Sequence, residues 1–86
     1  MSDQTYQTFE DLLHAIQAKV LRVGVGLCRV EVADDVMTRR VGYLVDGEFF
    51  QVPLTTLRSS PWAKTLAASR EVLIPALERG ELPSPG

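Results

Sequence analysis

The dipeptide Asp46-Gly47 lies between two runs of strand-forming residues, Val41-Gly-Tyr-Leu-Val45 and Glu48-Phe-Phe-Gln-Val52. A two-residue Asp-Gly loop suits a type I′ turn, whose twist matches that of paired antiparallel strands. A β-hairpin is therefore predicted here. Its register follows, because antiparallel partners step outward symmetrically from the turn: Val45 faces Glu48, Leu44 faces Phe49, Tyr43 faces Phe50, Gly42 faces Gln51 and Val41 faces Val52. Side chains alternate between the two faces of a sheet. One face thus bears Val41, Tyr43, Phe50 and Val52 and should meet the helices; the other bears Leu44, Phe49, Gly42 and Gln51. Pro53 has no N–H for a ladder, so this strand should end there or run along an edge.

The flanking segments complete a small domain. Phe9, Leu12, Leu13, Ile16, Val20 and Val23 recur at steps of three and four, which places them on one face of a helix. Thr8 is its expected N-cap and Gly24 its stop, with Asp11 in the first turn and Lys19 and Arg22 near the end, as the helix dipole favours. Ser2 to Gln7 are polar without a period and read as a loose lead-in. After Gly26, Cys28, Val30 and Val32 alternate with Arg29 and Glu31, a period of two that predicts the first strand. Ala33 to Arg40 reads as a connection of moderate length.

Ser59-Ser60-Pro61 resembles a helix start, with serine as cap and proline in the first turn, and Trp62, Leu66, Leu73 and Leu77 roughly keep a helical stripe. Pro75 lies inside that pattern and predicts a kink or break near Ile74, since it removes a hydrogen bond and crowds the preceding turn. Val72-Leu-Ile74 could instead form a short fourth strand; the surrounding Ala67, Ala68, Arg70, Glu71, Leu77 and Glu78 favour helix. Gly80 should end the element, and Leu82 to Gly86 should be an extended tail. The expected fold is α+β, in the order α-β-β-β-α: a three-stranded antiparallel sheet with two helices packed on one face. A single domain over 1–86 is expected, its ordered core about 8–80.

Several chemistries find little support. His14 is the one histidine and Cys28 the one cysteine, on different predicted elements, with no third residue to orient them as a nucleophile and base. A small enzyme using His14 or Cys28 remains an alternative reading. Asp34-Asp35 lacks the glycine and glutamate spacing of a calcium loop. Gly24-Val-Gly26 follows a helix and precedes a strand, the reverse of the order that aims amides at a phosphate. Neither a cofactor nor a metal is expected. A lone cysteine, the absence of a basic segment leading an apolar run near Met1, and the lack of eighteen consecutive apolar residues together predict a cytoplasmic protein away from membranes.

The helix-strand-strand-strand-helix order resembles the double-stranded RNA-binding domain. That family reads RNA through a histidine-bearing loop between its first two strands and a lysine-rich start to its last helix. Here those stretches are Ala33-Asp-Asp-Val-Met-Thr-Arg-Arg40 and Ser60-Pro-Trp-Ala-Lys-Thr65, so the resemblance carries over no binding residue. A nucleic-acid-binding module could still use Arg39, Arg40, Arg58 and Lys64, against a net charge of -2 and a pI near 5.2.

The outer sheet face supplies the leading expectation. Two helices can cover one side of three strands, which leaves Leu44 and Phe49 opposite, beside Gln51, for a partner. The expected function is a non-catalytic protein-protein interaction or regulatory module, homodimeric or binding another protein, through that outer face or a strand edge.

Overall fold

The structure, a computed structural model, describes residues 3–64, 66–82 and 84. Its elements are β1 (Asp3–Thr5), α1 (Phe9–Val23), β2 (Val30–Val32), β3 (Arg40–Val45), β4 (Glu48–Pro53), α2 (Leu54–Arg58), a 3₁₀ turn (Pro61–Ala63) and α3 (Leu66–Glu78). The sheet runs β1-β4-β3-β2. Its three antiparallel strands and its α+β class agree with the expectation, and β1 adds a short strand parallel to β4.

The hairpin has the register derived from its turn, from Val45 opposite Glu48 to Val41 opposite Val52. Asp46 and Gly47 have φ of 50° and 83°, both positive as a type I′ turn requires. The alternation then sorts the side chains. Val41, Tyr43, Val45, Phe50 and Val52 are buried on the inner face, where they meet Phe9, Leu12, Leu13, Ile16 and Val20 of α1 and Leu73 and Leu77 of α3 in one hydrophobic core.

The helix α1 starts and stops where its residues dictate. Thr8 Oγ1 accepts from the Asp11 N–H at 3.1 Å, and Gly24, with φ of 128°, sends its N–H to the Val20 carbonyl. Lys19 reaches Glu48 at 3.0 Å, which fastens the helix to the hairpin end.

Four local features differ from the sequence reading. The polar lead-in contains β1: the Tyr6 N–H donates to the Gln51 carbonyl at 2.8 Å, and the Tyr6 ring stacks on Phe50 at 5.9 Å. The register to β4 comes from those contacts, and nothing in Asp3-Gln-Thr5 has a period to reveal it. Leu54–Arg58, to which the sequence reading assigned no element, is a short helix that presents Leu57 to the core. Ser60 caps a 3₁₀ turn, accepting from the Trp62 N–H at 3.2 Å, and the long helix begins only at Leu66. Finally, α3 passes through Pro75 without a break, so Val72 to Ile74 are helical. Pro75, Glu71 and Val72 are exposed, so the turn in which proline supplies no N–H to the Glu71 carbonyl lies at the surface.

The chain is folded beyond both ends of the expected core, from β1 to Leu82, which packs against the hydrophobic cluster. Apart from Leu82 and Ser84, the expected extended tail lies outside the described residues. With β1 and α2 added, the order is no longer the simple α-β-β-β-α one that resembled the RNA-binding domain.

Candidate functional site

The helices α1 and α3 pack on the inner face of the sheet and on each other, and the Cα envelope of 32 × 31 × 18 Å is two layers thick. No described helix forms a layer on the outer face. There Leu44 and Phe49 are partners in register, and Glu31 of β2 lies opposite Leu44 on its other side. Leu44 is half-buried and Phe49 is 38% exposed, so the pair presents a small apolar surface between polar neighbours. Arg29 and Glu31, both exposed, stand two residues apart and share this face by the alternation of β2.

Gln51 has a different place from its two neighbours. It is only 7% exposed, and its Nε2 donates to the Ala33 carbonyl at 3.1 Å. Its amide is committed within the chain, so it supports the face from inside and offers a partner little. A shallow depression of about 410 Å³ opens beside it, bordered by Phe49, Ala33, Val36 and Arg40.

The loop between β2 and β3 forms one wall of that depression. Asp35 and Arg40 exchange two backbone hydrogen bonds of 2.9 Å at its base, and Asp35 Oδ1 accepts from the N–H groups of Met37 and Thr38. Val36 and Met37, at the tip, are 85% and 92% exposed. Apolar side chains that exposed were not singled out as site residues from sequence. The available signal was an apolar pair set between Asp34-Asp35 and Arg39-Arg40.

Asp34 holds the loop to the helical layer. Arg70 on α3 donates to both its carboxylate oxygens, at 2.7 and 2.9 Å, and the Gly42 N–H donates at 3.2 Å. These bonds, the Arg70 pair foremost, hold the Asp34 carboxyl below its ordinary range despite partial burial. The same guanidinium lies over the Tyr43 ring, 5.6 Å from its centroid. Burial pushes the Tyr43 hydroxyl up, and the nearby Arg70 charge pulls the other way.

On the far side of the loop, facing α2, is a cleft of about 500 Å³. It brings together Arg39, Arg40 and Arg58, three of the four basic residues picked from sequence; Lys64, beyond the 3₁₀ turn, does not line it. The Leu54 N–H donates to the Arg39 carbonyl at 2.9 Å, so the loop and the start of α2 are joined directly.

The enzyme candidates stand apart in character. His14 is exposed on α1, and Cys28 is buried in the core. Burial, with help from Asp46 and Glu78, pushes the Cys28 thiol up, the opposite of what activates a cysteine nucleophile. Among the described residues no three His, Cys, Asp or Glu side chains group to hold a metal ion, and no helix is long and apolar enough to cross a membrane.

The edges of β2 and β4 are partly covered. Arg29 and Ala33 bond across to the hairpin, through Asp46 and Gly42, so by alternation the backbone groups of Val30 and Val32 point to the free edge of β2. Glu78 of α3 accepts from the Val30 N–H there at 3.0 Å. On the other side β1 covers the edge of β4. Compared with protein-family models, curated proteins and solved structures, the chain matches none of them.

Proposed function

We propose that this chain is a non-catalytic interaction module that pairs with a second copy through the outer face of its sheet. The observation that carries the reading is the Leu44–Phe49 pair, in register on a face that no described helix covers. A chain of this length buries a modest share of its surface alone, roughly 60%, and gains from a second layer. The face also suits its own copy. Arg29 and Glu31 lie on the same side of one strand with opposite charges, so a two-fold axis through the face can set each against the other's counterpart. The face is favoured over an edge because Glu78 already occupies part of the β2 edge and β1 covers β4.

Replacing Phe49 by Glu tests the reading. In size-exclusion chromatography with light scattering, the parent should elute as a dimer and Phe49→Glu as a monomer with an unchanged circular dichroism spectrum. Loss of the folded spectrum would assign Phe49 to the core, and an equally dimeric variant would move the interface elsewhere.

A further inference from the structure

We infer that the cleft between the β2–β3 loop and α2 binds a phosphate monoester carried on an apolar body. It is lined by Arg39, Arg40 and Arg58 together with the apolar Val36, Val41 and Leu54. The volume of about 500 Å³ lies in the range of small-molecule sites, which combine apolar walls with a few convergent polar groups. This site goes beyond the pairing face and lies across the loop from it.

Charge selects the ligand. None of the three arginine side chains makes an ion pair or a side-chain hydrogen bond among the described residues, so their donors are free to meet an incoming group. Two carboxylates also line the cleft, and both are engaged. Asp34 is neutralised by Arg70, which holds both of its oxygens. Asp35 spends Oδ1 on the Met37 and Thr38 amides and offsets one of the three guanidinium charges. An excess of two positive charges is left, and a phosphate monoester carries about -1.5 to -2 near neutral pH. Guanidinium groups are suited to it because their planar forks bind phosphate oxygens in pairs.

The cleft is also built before any ligand arrives. The paired Asp35–Arg40 backbone bonds close the loop, and the Leu54 N–H to Arg39 carbonyl bond ties it to α2. Arg39 has a φ of 53°, in the left-handed region that a residue with a side chain seldom adopts, and that Leu54 bond helps to hold it there.

The test is a titration of the full ¹⁵N-labelled chain with phenyl phosphate, followed by amide shifts, with inorganic phosphate and phenol as the two half-ligands. Phenyl phosphate should shift the amides of Arg39, Arg40, Leu54 and Thr55 and bind roughly tenfold more tightly than either half-ligand. The exposed arginines allow substitution without disturbing the core, and Arg58→Gln and Arg39→Gln should each weaken binding about tenfold, each such charged contact being of that order. Binding should also weaken as the pH falls below about 6, where the monoester dianion takes up a proton and becomes a monoanion. Three results would overturn the inference: no localised shifts at millimolar ligand, affinity in both glutamine variants unchanged from the parent chain, or inorganic phosphate binding as well as phenyl phosphate. Binding of a short RNA duplex at low salt, with shifts spreading to Lys64 and phenyl phosphate inert, would replace it with a nucleic-acid surface.

Discussion

The side chain of Gln51 crosses the outer face directly over Gly42. A Cβ atom placed on Gly42 would lie 2.5 Å from Gln51 Cγ and would also meet the Phe50 carbonyl oxygen, closer than such atoms approach. The glycine therefore opens a path by which Gln51 on β4 spans β3 and donates to the Ala33 carbonyl at the end of β2. Three consecutive strands are joined by one amide, and the position is glycine because the backbone and a neighbour come this close.

Gly42→Ala should destabilise the fold by about 2 kcal/mol, in the range of overpacked sites. Gln51→Ala should cost about 1 kcal/mol for the lost hydrogen bond. Urea denaturation of both and of the double variant checks the relation. The effects should be less than additive, because removing the Gln51 side chain relieves part of the crowding around the added methyl group while the Phe50 carbonyl remains.

The Asp34–Arg70 pair gives the stability a dependence on acid. Hydrogen bonds from Arg70 and Gly42 lower the Asp34 carboxyl below its unfolded value, near 3.9. Folding therefore favours the ionised group. Its contribution is present above about pH 4 and is lost as the pH falls through the lower, folded value. Because the carboxylate side is 37% exposed, the pair should be worth only about 1 kcal/mol. Asp34→Asn should remove that much at pH 7, and denaturation curves at descending pH should show a shallower acid loss in the variant.

Pro75 is a stabilisation target. It is exposed within a continuous α3, where it supplies no N–H to the Glu71 carbonyl. Pro75→Ala restores that bond and removes the ring clash, worth up to about 3 kcal/mol, but it frees the unfolded chain by about 0.4–1 kcal/mol. The net expectation is a gain of about 1–2 kcal/mol, seen as a rise in Tm. An unchanged Tm would mean that the helix has already relaxed around the ring.

Cys28 should react slowly with a thiol reagent. The residue is 3% exposed, and burial raises the pKa of its thiol, so labelling at pH 8 should follow the opening of the core. Adding urea below the unfolding midpoint should speed it. Labelling at the rate of a free thiol in buffer alone would contradict the packing of Cys28 against the helical layer.

How much of this was legible in the sequence depended on whether the information was local. The hairpin register was, because the Asp46-Gly47 turn fixes which residues face one another and the period of two then divides the faces. Thr8 and Gly24 bounded α1 for the same reason. β1 was not legible, since three polar residues acquire strand structure only from the open edge of β4 and the docking of Tyr6 on Phe50. Nor was α2, where Thr55 and Thr56 are poor helix formers and the burial of Leu57 supplies the stabilisation. At the site, the facing of Leu44 and Phe49 was legible from the turn, while the committed amide of Gln51 was not, because its acceptor is on a third strand. The grouping of Arg39 and Arg40 with Arg58 likewise depended on where α2 folds.

The pairing of two outer faces is tested most directly by sedimentation equilibrium of the unmodified chain across the micromolar range. The Leu44–Phe49 face predicts a mass that rises with concentration toward twice that of the 86-residue chain. A constant monomer mass across the whole range would contradict the homodimer.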